Sequence, residues 1–384
     1  MTTQAAPTRE DEIADAVADA VRVGARMTIR GGGSKATIGA PTEALPLDLS
    51  NIAGVVDYDP PELVLTVRPG TPLAEVQALV AGERQMLAFE PFDHAPLFGE
   101  PAGRATIGGV VAAGVAGSQR VSAGSARDHL LGFRAVSGRG EAFVAGAKVV
   151  KNVTGYDLPK LAANSWGRLF AMTELTLKVL PAPRVRATRV LAGLDEAQAV
   201  RAMAVAMGSA AEVAAAAHMP AREGTRAATL FRVQGFGPSV VARAALLEAL
   251  LAPFGEFGTL DDAAADAAWA DLRTLRPLGL ARALWRVNVP PSAMAVVLDA
   301  VRPLGAEWLL DWAGGLAWIA LDGGEAAIRD AAVHAGGHAT LVRAPASVRA
   351  AVPAFHPPLS GVAALETRIR RAFDPAGVFE TGRF

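Results

Sequence analysis

No cysteine occurs among the 384 residues. Disulfides, thiolate zinc sites, cysteine-ligated iron–sulfur clusters and cysteine nucleophiles are therefore excluded from this chain, and the composition fits a reducing compartment. Lysine is also scarce: Lys35, Lys148, Lys151, Lys160 and Lys178 stand against 32 arginines, and all five precede residue 180. The net charge is only −1, which gives no electrostatic footprint for nucleic acid or an anionic membrane. Long apolar runs are missing as well. The longest uncharged one, Ala105–Ser118, is shorter than the ~20 residues a bilayer needs, and Met1–Glu12 has no apolar core of a signal peptide. These absences predict a soluble chain. Several catalytic signatures are lacking too. Ser34 precedes Lys35 and Ala36 follows it, which is not a Walker A order, and Gly108, Gly109, Gly114 and Gly117 lack Rossmann spacing. Neither G-x-S-x-G nor H-E-x-x-H occurs. His334 and His338 are four apart, but Gly336-Gly337 between them speaks for a loop or strand edge rather than a metal-bearing helix.

What is present indicates a packed globular protein of two or three units, with 51% hydrophobic and 20% charged residues. Thr8 is placed to cap a helix ending at Gly24, with short strands at 27–30, 54–58 and 63–68. Thr71-Pro72 opens a helix to about Ala81, Thr106 to Val115 reads as a small-residue helix, and 131–137 and 141–144 form a hairpin around Ser137-Gly138-Arg139-Gly140. A short helix over 155–163 and a strand over 169–180 follow. After Pro181-Ala182-Pro183 the character changes. Strands at 185–193, 226–234, 282–289, 306–312, 315–321 and 339–344 alternate with Ala-rich helices, in an order that resembles a split β-α-β unit used twice.

Four segments carry chemistry. Arg30-Gly31-Gly32-Gly33-Ser34-Lys35 follows an apolar run. Its glycines can take φ > 0 and converge amides into an anion nest, with Arg30 and Lys35 adding positive charge, although such turns also occur with nothing bound. Thr106-Ile107-Gly108-Gly109 offers a helix cap and either close approach to a flat ligand or plain tight packing. Gly124-Ser125-Ala126-Arg127-Asp128 is a small-residue turn with a charge pair. Val149-Val150-Lys151-Asn152-Val153-Thr154-Gly155-Tyr156-Asp157-Leu158-Pro159-Lys160-Leu161 is the fourth.

In that order, and with Met172-Thr-Glu-Leu-Thr-Leu-Lys178, these segments resemble the FAD-binding flavoproteins of the vanillyl-alcohol oxidase/p-cresol methylhydroxylase (PCMH) type, and more narrowly the E subunits of bacterial glycolate oxidase (glycolate dehydrogenase). The likeness covers residues 20–182 and continues at Leu284–Pro290, Gly337–Leu341 and Phe373–Phe379. It implies an α+β fold: a two-lobed FAD-binding domain over 1–182 (lobes 1–68 and 69–182), and an α+β cap over 183–360 with an antiparallel sheet and ferredoxin-like units. Residues 361–384 would return to the first domain. By carry-over, Gly31, Gly32, Gly33, Ser34 and Lys35 would hold the FAD diphosphate. Thr106, Ile107, Gly108 and Gly109 would lie along the diphosphate and flavin, Ser125, Arg127 and Asp128 nearby, and Met172 at the adenine or ribose. Covalent-flavin relatives keep a histidine where this chain has Ser34, so the FAD is expected to be non-covalent. Two departures stand out: the usual G-S-x-G-x-L-G becomes Asn164-Ser165-Trp166-Gly167-Arg168-Leu169-Phe170, and Ala112-Ala113 replace the usual Asn after the paired glycines.

Oxidising a 2-hydroxy acid requires a cation for the carboxylate and a base for the hydroxyl proton. The G-H-x-G-D-G-N-x-H cluster of related catalytic subunits has no counterpart here. Arg286 and Arg232 on cap strands, with Tyr156 or a histidine assisting, are the candidates for such work; surface salt bridging is the alternative for the arginines. No metal site is expected. The resemblance implies a cytoplasmic FAD-binding subunit, or one held at the inner face of the membrane through partners. Those partners are a catalytic FAD subunit and an iron–sulfur subunit, with a small 2-hydroxy acid as substrate. The competing expectation is a self-sufficient FAD-dependent 2-hydroxy acid dehydrogenase or oxidase.

Overall fold

The computed structural model describes residues 5–147 and 156–384. The chain divides into two units: unit one comprises Met1–Ala116, Gly124–Pro181 and Pro357–Phe384, and unit two comprises Gly117–Ala123 and Ala182–His356.

Unit one begins with α1 (Glu10–Val23), whose first turn carries Glu10, Asp11 and Glu12 against the helix dipole and whose end is closed by Gly24 at φ 67°. Thr8 is not its cap. Arg9 holds that position without a side-chain bond, and the Thr8 amide and hydroxyl instead donate to the Glu12 carboxylate. β1 (Met27–Arg30) pairs in parallel with β2 (Leu45–Asp48), a strand that Pro46 hides from sequence inspection. β3 (Val55–Asp59), β4 (Val64–Val67), α2 (Leu73–Gly82) and the two-residue β5 (Gln85–Met86) come next. The short helices α3 (Ile107–Ala112), α4 (Arg120–Ala123, grouped with unit two) and α5 (Ala126–His129) lead into the hairpin β6 (Leu130–Ser137) and β7 (Ala142–Gly146). α6 (Leu158–Ala162), β8 (Phe170–Lys178) and β9 (Leu180–Pro181) complete this stretch. An antiparallel sheet in the order β3-β4-β8-β6-β7 buries one face on Val76, Val80, Ile107 and Val110. Phe133, Phe143 and Phe170 pack with ring centroids 5.0–5.8 Å apart, Phe133 and Phe170 stacked and Phe143 edge-on to both, and Phe373 joins them.

Unit two contains β10 (Val185–Ala192), α7 (Glu196–Met207), β11 (Ala215–Met219), β12 (Ala228–Gly235), α8 (Gly237–Leu251) and β13 (Phe257–Leu260). After α9 (Asp262–Thr274) the pattern recurs as β14 (Leu284–Asn288), α10 (Met294–Val301), β15 (Glu307–Asp311), β16 (Leu316–Ala320), α11 (Glu325–His334) and β17 (His338–Arg343). Both halves are β-α-β-β-α-β units, and the strand order β13-β10-β12-β11-β15-β16-β14-β17 joins them edge to edge through β11 and β15. The repeat expected from sequence is thus observed, with β11 and β13 as strands not foreseen. The helices pack on one face through two clusters, around Phe231, Met203 and Leu247 and around Trp285, Leu310 and Ile328. α12 (Ala346–Ala351) precedes α13 (Ser360–Phe373), which belongs to unit one.

α8 with its 3-10 continuation, Gly237–Phe254, is long and apolar enough to cross a membrane. Two charges tie it to the sheet instead: Arg243 pairs with Glu212 at 3.2 Å, and Glu248 with Arg189 of β10 at 2.5 Å. Val240, Ala244, Leu247 and Leu251 are buried beneath it.

Candidate cofactor site

A cavity of about 290 Å³ in unit one is lined by Arg30 and the run Gly31–Lys35, by Thr106, Gly108, Gly109 and Met172, and by a set of apolar and aromatic residues. The Gly-rich turn differs in detail from its sequence reading. Only Gly33 takes the left-handed conformation, at φ 77°. Gly32 is required by close approach, because a Cβ there would lie 1.8 Å from the Arg104 carbonyl oxygen, and one on Gly31 would lie 2.3 Å from Thr106 Oγ1. The two glycine-bearing segments therefore press against each other. Gly108 likewise serves packing, since its Cβ would meet Pro69 at 2.5 Å. Thr106 caps α3, its hydroxyl accepting from the Gly109 amide at 3.4 Å.

Lys35 supplies the charge. Its ammonium donates to Ser34 Oγ at 3.2 Å, lies 3.9 Å from where a Gly109 Cβ would be, and makes no ion pair among the described residues. Burial pulls it from its ordinary value to about 8, with Asp93 opposing. Arg30 is by contrast paired with Asp48 at 2.7 Å. Asp93 was not visible as a site residue in the sequence, yet it organises the loop 103–105 that packs against the turn. Its carboxylate accepts from the amides of Gly103, Arg104 and Ala105 at 2.8–3.1 Å and from Ala95 at 2.9 Å. That holds the Arg104 carbonyl against Gly32, while Arg104 Nε donates to the Gly32 carbonyl at 3.3 Å.

The remaining expected residues are dispersed. Ile107 is fully buried in the core, and Ser125 and Asp128 form a capping box on α5 away from the cavity lining, with Arg127 between them. Residues 149–155 of the fourth segment lie outside the described residues. Tyr156 beside them is 90% exposed. Arg232 is buried with its guanidinium 4.9 Å from the Trp269 ring, whose Nε1 donates to Thr188 Oγ1 at 3.0 Å. Arg286 lies on β14, four strand positions from the β12 strand of Arg232, a separation of about 19 Å across the sheet. Its guanidinium sits 5.0 Å from the Trp312 ring centroid, and that of Arg120 sits 4.1 Å from the same ring. Burial, and then repulsion from Arg120, lower Arg286 to about 10. His338, paired with Asn288 across β14 and β17, is pushed down by burial and then by Arg286. His334 closes α11.

Trp166 and Asn164 occupy left-handed conformations at φ 56° and 65°, in the segment where the glycine pattern is broken. Asn tolerates that region, whereas for Trp the cost is on the order of 1–3 kcal/mol. The strained tryptophan lines the cavity.

The chain matches the FAD binding domain family over residues 3–146. Glycolate oxidase subunit GlcE of Escherichia coli (strain K12) is 34% identical over 364 residues, 93% of this chain and 92% of that protein. The chain belongs to the GlcE family of glycolate oxidase subunits. Glycolate oxidase subunit GlcD of Bacillus subtilis (strain 168) is 29% identical over 187 residues, but these are 48% of this chain and 38% of that one. A solved p-cresol methylhydroxylase superposes with a TM-score of 0.73 at 14% identity, covering 98% of this chain and 87% of that chain, which establishes the shared fold. The cofactor of this chain is FAD, and the GlcE family is one of FAD-dependent oxidoreductases acting on CH–OH groups. The cavity fits that cofactor: an ammonium unpaired among the described residues, and glycines that keep Cβ atoms out of the turn, suit an anionic diphosphate.

Proposed function

We propose that this chain is the FAD-binding subunit of a glycolate (2-hydroxy acid) dehydrogenase complex, accessory to a separate catalytic flavin subunit, with electrons leaving through an iron–sulfur partner. When bound, FAD supplies the two-electron acceptor for oxidation of an alcohol carbon. The observation that carries the reading is a cavity lined by Gly31–Lys35 and by Thr106, Gly108 and Gly109, with the buried Lys35 ammonium in no ion pair among the described residues, beside the lack, among those residues, of any cluster of three or more His, Cys, Asp or Glu able to hold a metal. In this reading Gly31, Gly32, Gly33 and Ser34 present the turn, Lys35 neutralises the diphosphate, and Gly108, Gly109 and Met172 border the bound group, which is held non-covalently. Ile107 supports α3 from the core, and Ser125, Arg127 and Asp128 brace the adjoining turn rather than touching the cofactor. With no thiol in the sequence, this chain cannot ligate a cluster through cysteine, so onward transfer belongs to another subunit. The domain assignments 1–182, 183–360 and 361–384 and a cytoplasmic location, peripheral to the membrane through the complex, are part of the same proposal.

One observation favours a second reading, a self-sufficient dehydrogenase. Arg286 and Arg120 lie 5.0 and 4.1 Å from the centroid of one indole, that of Trp312, two cations able to grip a carboxylate. Glycolate-dependent dye reduction by this chain alone, by its partner subunits alone and by the two combined separates the readings. Turnover only in the combination is the expected result. Turnover by this chain alone, lost in Arg286→Gln, would establish the second reading.

A further inference from the structure

The segment Thr381–Phe384 and Trp166 are not among the residues assigned above to the cofactor, yet both line its cavity. The Arg383 guanidinium donates to three carbonyls of the stretch that follows the Gly-rich turn: Nε to Ile38 at 2.6 Å, and Nη2 to Lys35 at 2.7 Å and Ala36 at 2.8 Å. The Ala40 amide donates back to the Arg383 carbonyl at 2.9 Å, and Thr42 Oγ1 to that of Thr381 at 3.0 Å. A Cβ on Gly39 would lie 2.7 Å from the Arg383 oxygen, so the two stretches are in direct contact. Beside them the Trp166 and Phe384 rings lie 5.2 Å apart at 55°. Trp166 is held there despite its left-handed backbone, by its amide donating to Ala112 O at 2.8 Å and its Nε1 to Asn164 Oδ1 at 3.1 Å. A left-handed tryptophan kept in a cavity wall is strain of the kind that persists at functional sites, and two aromatic rings lining a cavity that Lys35 also lines match a nucleotide, charge to phosphate and ring to ring; the Arg383 guanidinium lies 5.1 Å from the Phe384 ring centroid.

We infer that Trp166 and Phe384 form an aromatic wall that stacks on a planar heteroaromatic ring of the dinucleotide, and that Arg383 is a positioning residue fixing the backbone from which Lys35 reaches the diphosphate. The inference rests on the FAD reading of the cavity. Asn164, where the usual pattern has a glycine, keeps the left-handed turn at φ 65° two residues before Trp166.

The test uses the full chain freed of flavin, titrated with FAD and separately with ADP and FMN as half-ligands, for the wild type and for Trp166→Leu, Phe384→Leu, Trp166→Phe, Arg383→Gln and Arg383→Lys. Trp166→Leu and Phe384→Leu should each weaken FAD and one of the two half-ligands by about tenfold or more, the scale of a lost stacking ring, and leave the other half-ligand unchanged. Which half-ligand responds identifies adenine or isoalloxazine as the stacked ring. Trp166→Phe should bind like the wild type, and Arg383→Gln should weaken FAD more than Arg383→Lys does. Wild-type affinities in Trp166→Leu and Phe384→Leu would overturn the wall. Phe384 is only half-buried, so its replacement tests the idea even if Trp166→Leu fails to fold. A wild-type chain that binds neither FAD nor a half-ligand would overturn the FAD reading and this inference together.

Discussion

Lys35 carries the sharpest residue-level consequence. Burial lowers its ammonium to about 8, and a neighbouring diphosphate raises it again, so binding takes up a proton once the pH exceeds that value. FAD affinity should therefore be flat below pH 8 and fall by up to about tenfold per unit above it, while Lys35→Met removes the slope; titrations at pH 7 and 9.5 read this directly. Gly32→Val places a side chain on the Arg104 carbonyl, a backbone atom that cannot rotate away, and should abolish FAD binding, as measured by flavin retained on purification. His218 tests the cap. It is fully buried on β11, its Nδ1 bonded to Thr229 Oγ1 at 2.9 Å, and burial lowers it to about 4 from 6.5. An imidazole kept neutral by the fold contributes stability that is complete above pH 6.5 and lost as the pH falls toward 4, on the order of 3 kcal/mol in all. Denaturant midpoints for His218→Gln should show a shallower acid limb than the wild type.

At the scale of elements, the loop 103–105 and the Gly-rich turn act as one piece through Asp93. Asp93→Ala frees several backbone amides at once and should cost about 2 kcal/mol, roughly 5 °C in Tm, together with weakened FAD binding. Sequence reading found the turn and the Thr106 cap because both are local: a run of glycines and an N-cap announce themselves within a few residues. Asp93 stayed hidden because its role depends on amides 10–12 positions away, and Arg383 because its partners lie about 345 positions away. β11 was missed for a different reason. Ala215-Ala216-Ala217 has strong helix propensity, and only its place between β12 and β15 makes it a strand. β2 was masked by Pro46, tolerated where the strand pairs in parallel with β1. The second β-α-β-β-α-β unit was legible because all four of its strands show in the sequence, whereas the first showed only β10 and β12. Arg286 and Arg232 were both selected as strand arginines, but register alone could not reveal that Trp269 covers one while Arg120 and Trp312 accompany the other.

For the molecule as a whole, the division of labour is the central claim. Unit one builds a cavity suited to FAD, the sequence offers no thiol for a cluster, and the described residues hold no group of three metal-ligating side chains. Membership of the GlcE family along nearly the full length supports a subunit that works beside others. Arg286→Gln should accordingly leave flavin content unchanged, whatever it does to turnover of the complex. The most direct measurement is the absorption spectrum of the purified full chain under anaerobic conditions, before and after glycolate. The account predicts an oxidised flavin band that persists with glycolate and bleaches only once the partner subunits are added. Bleaching by glycolate in the chain alone would contradict it.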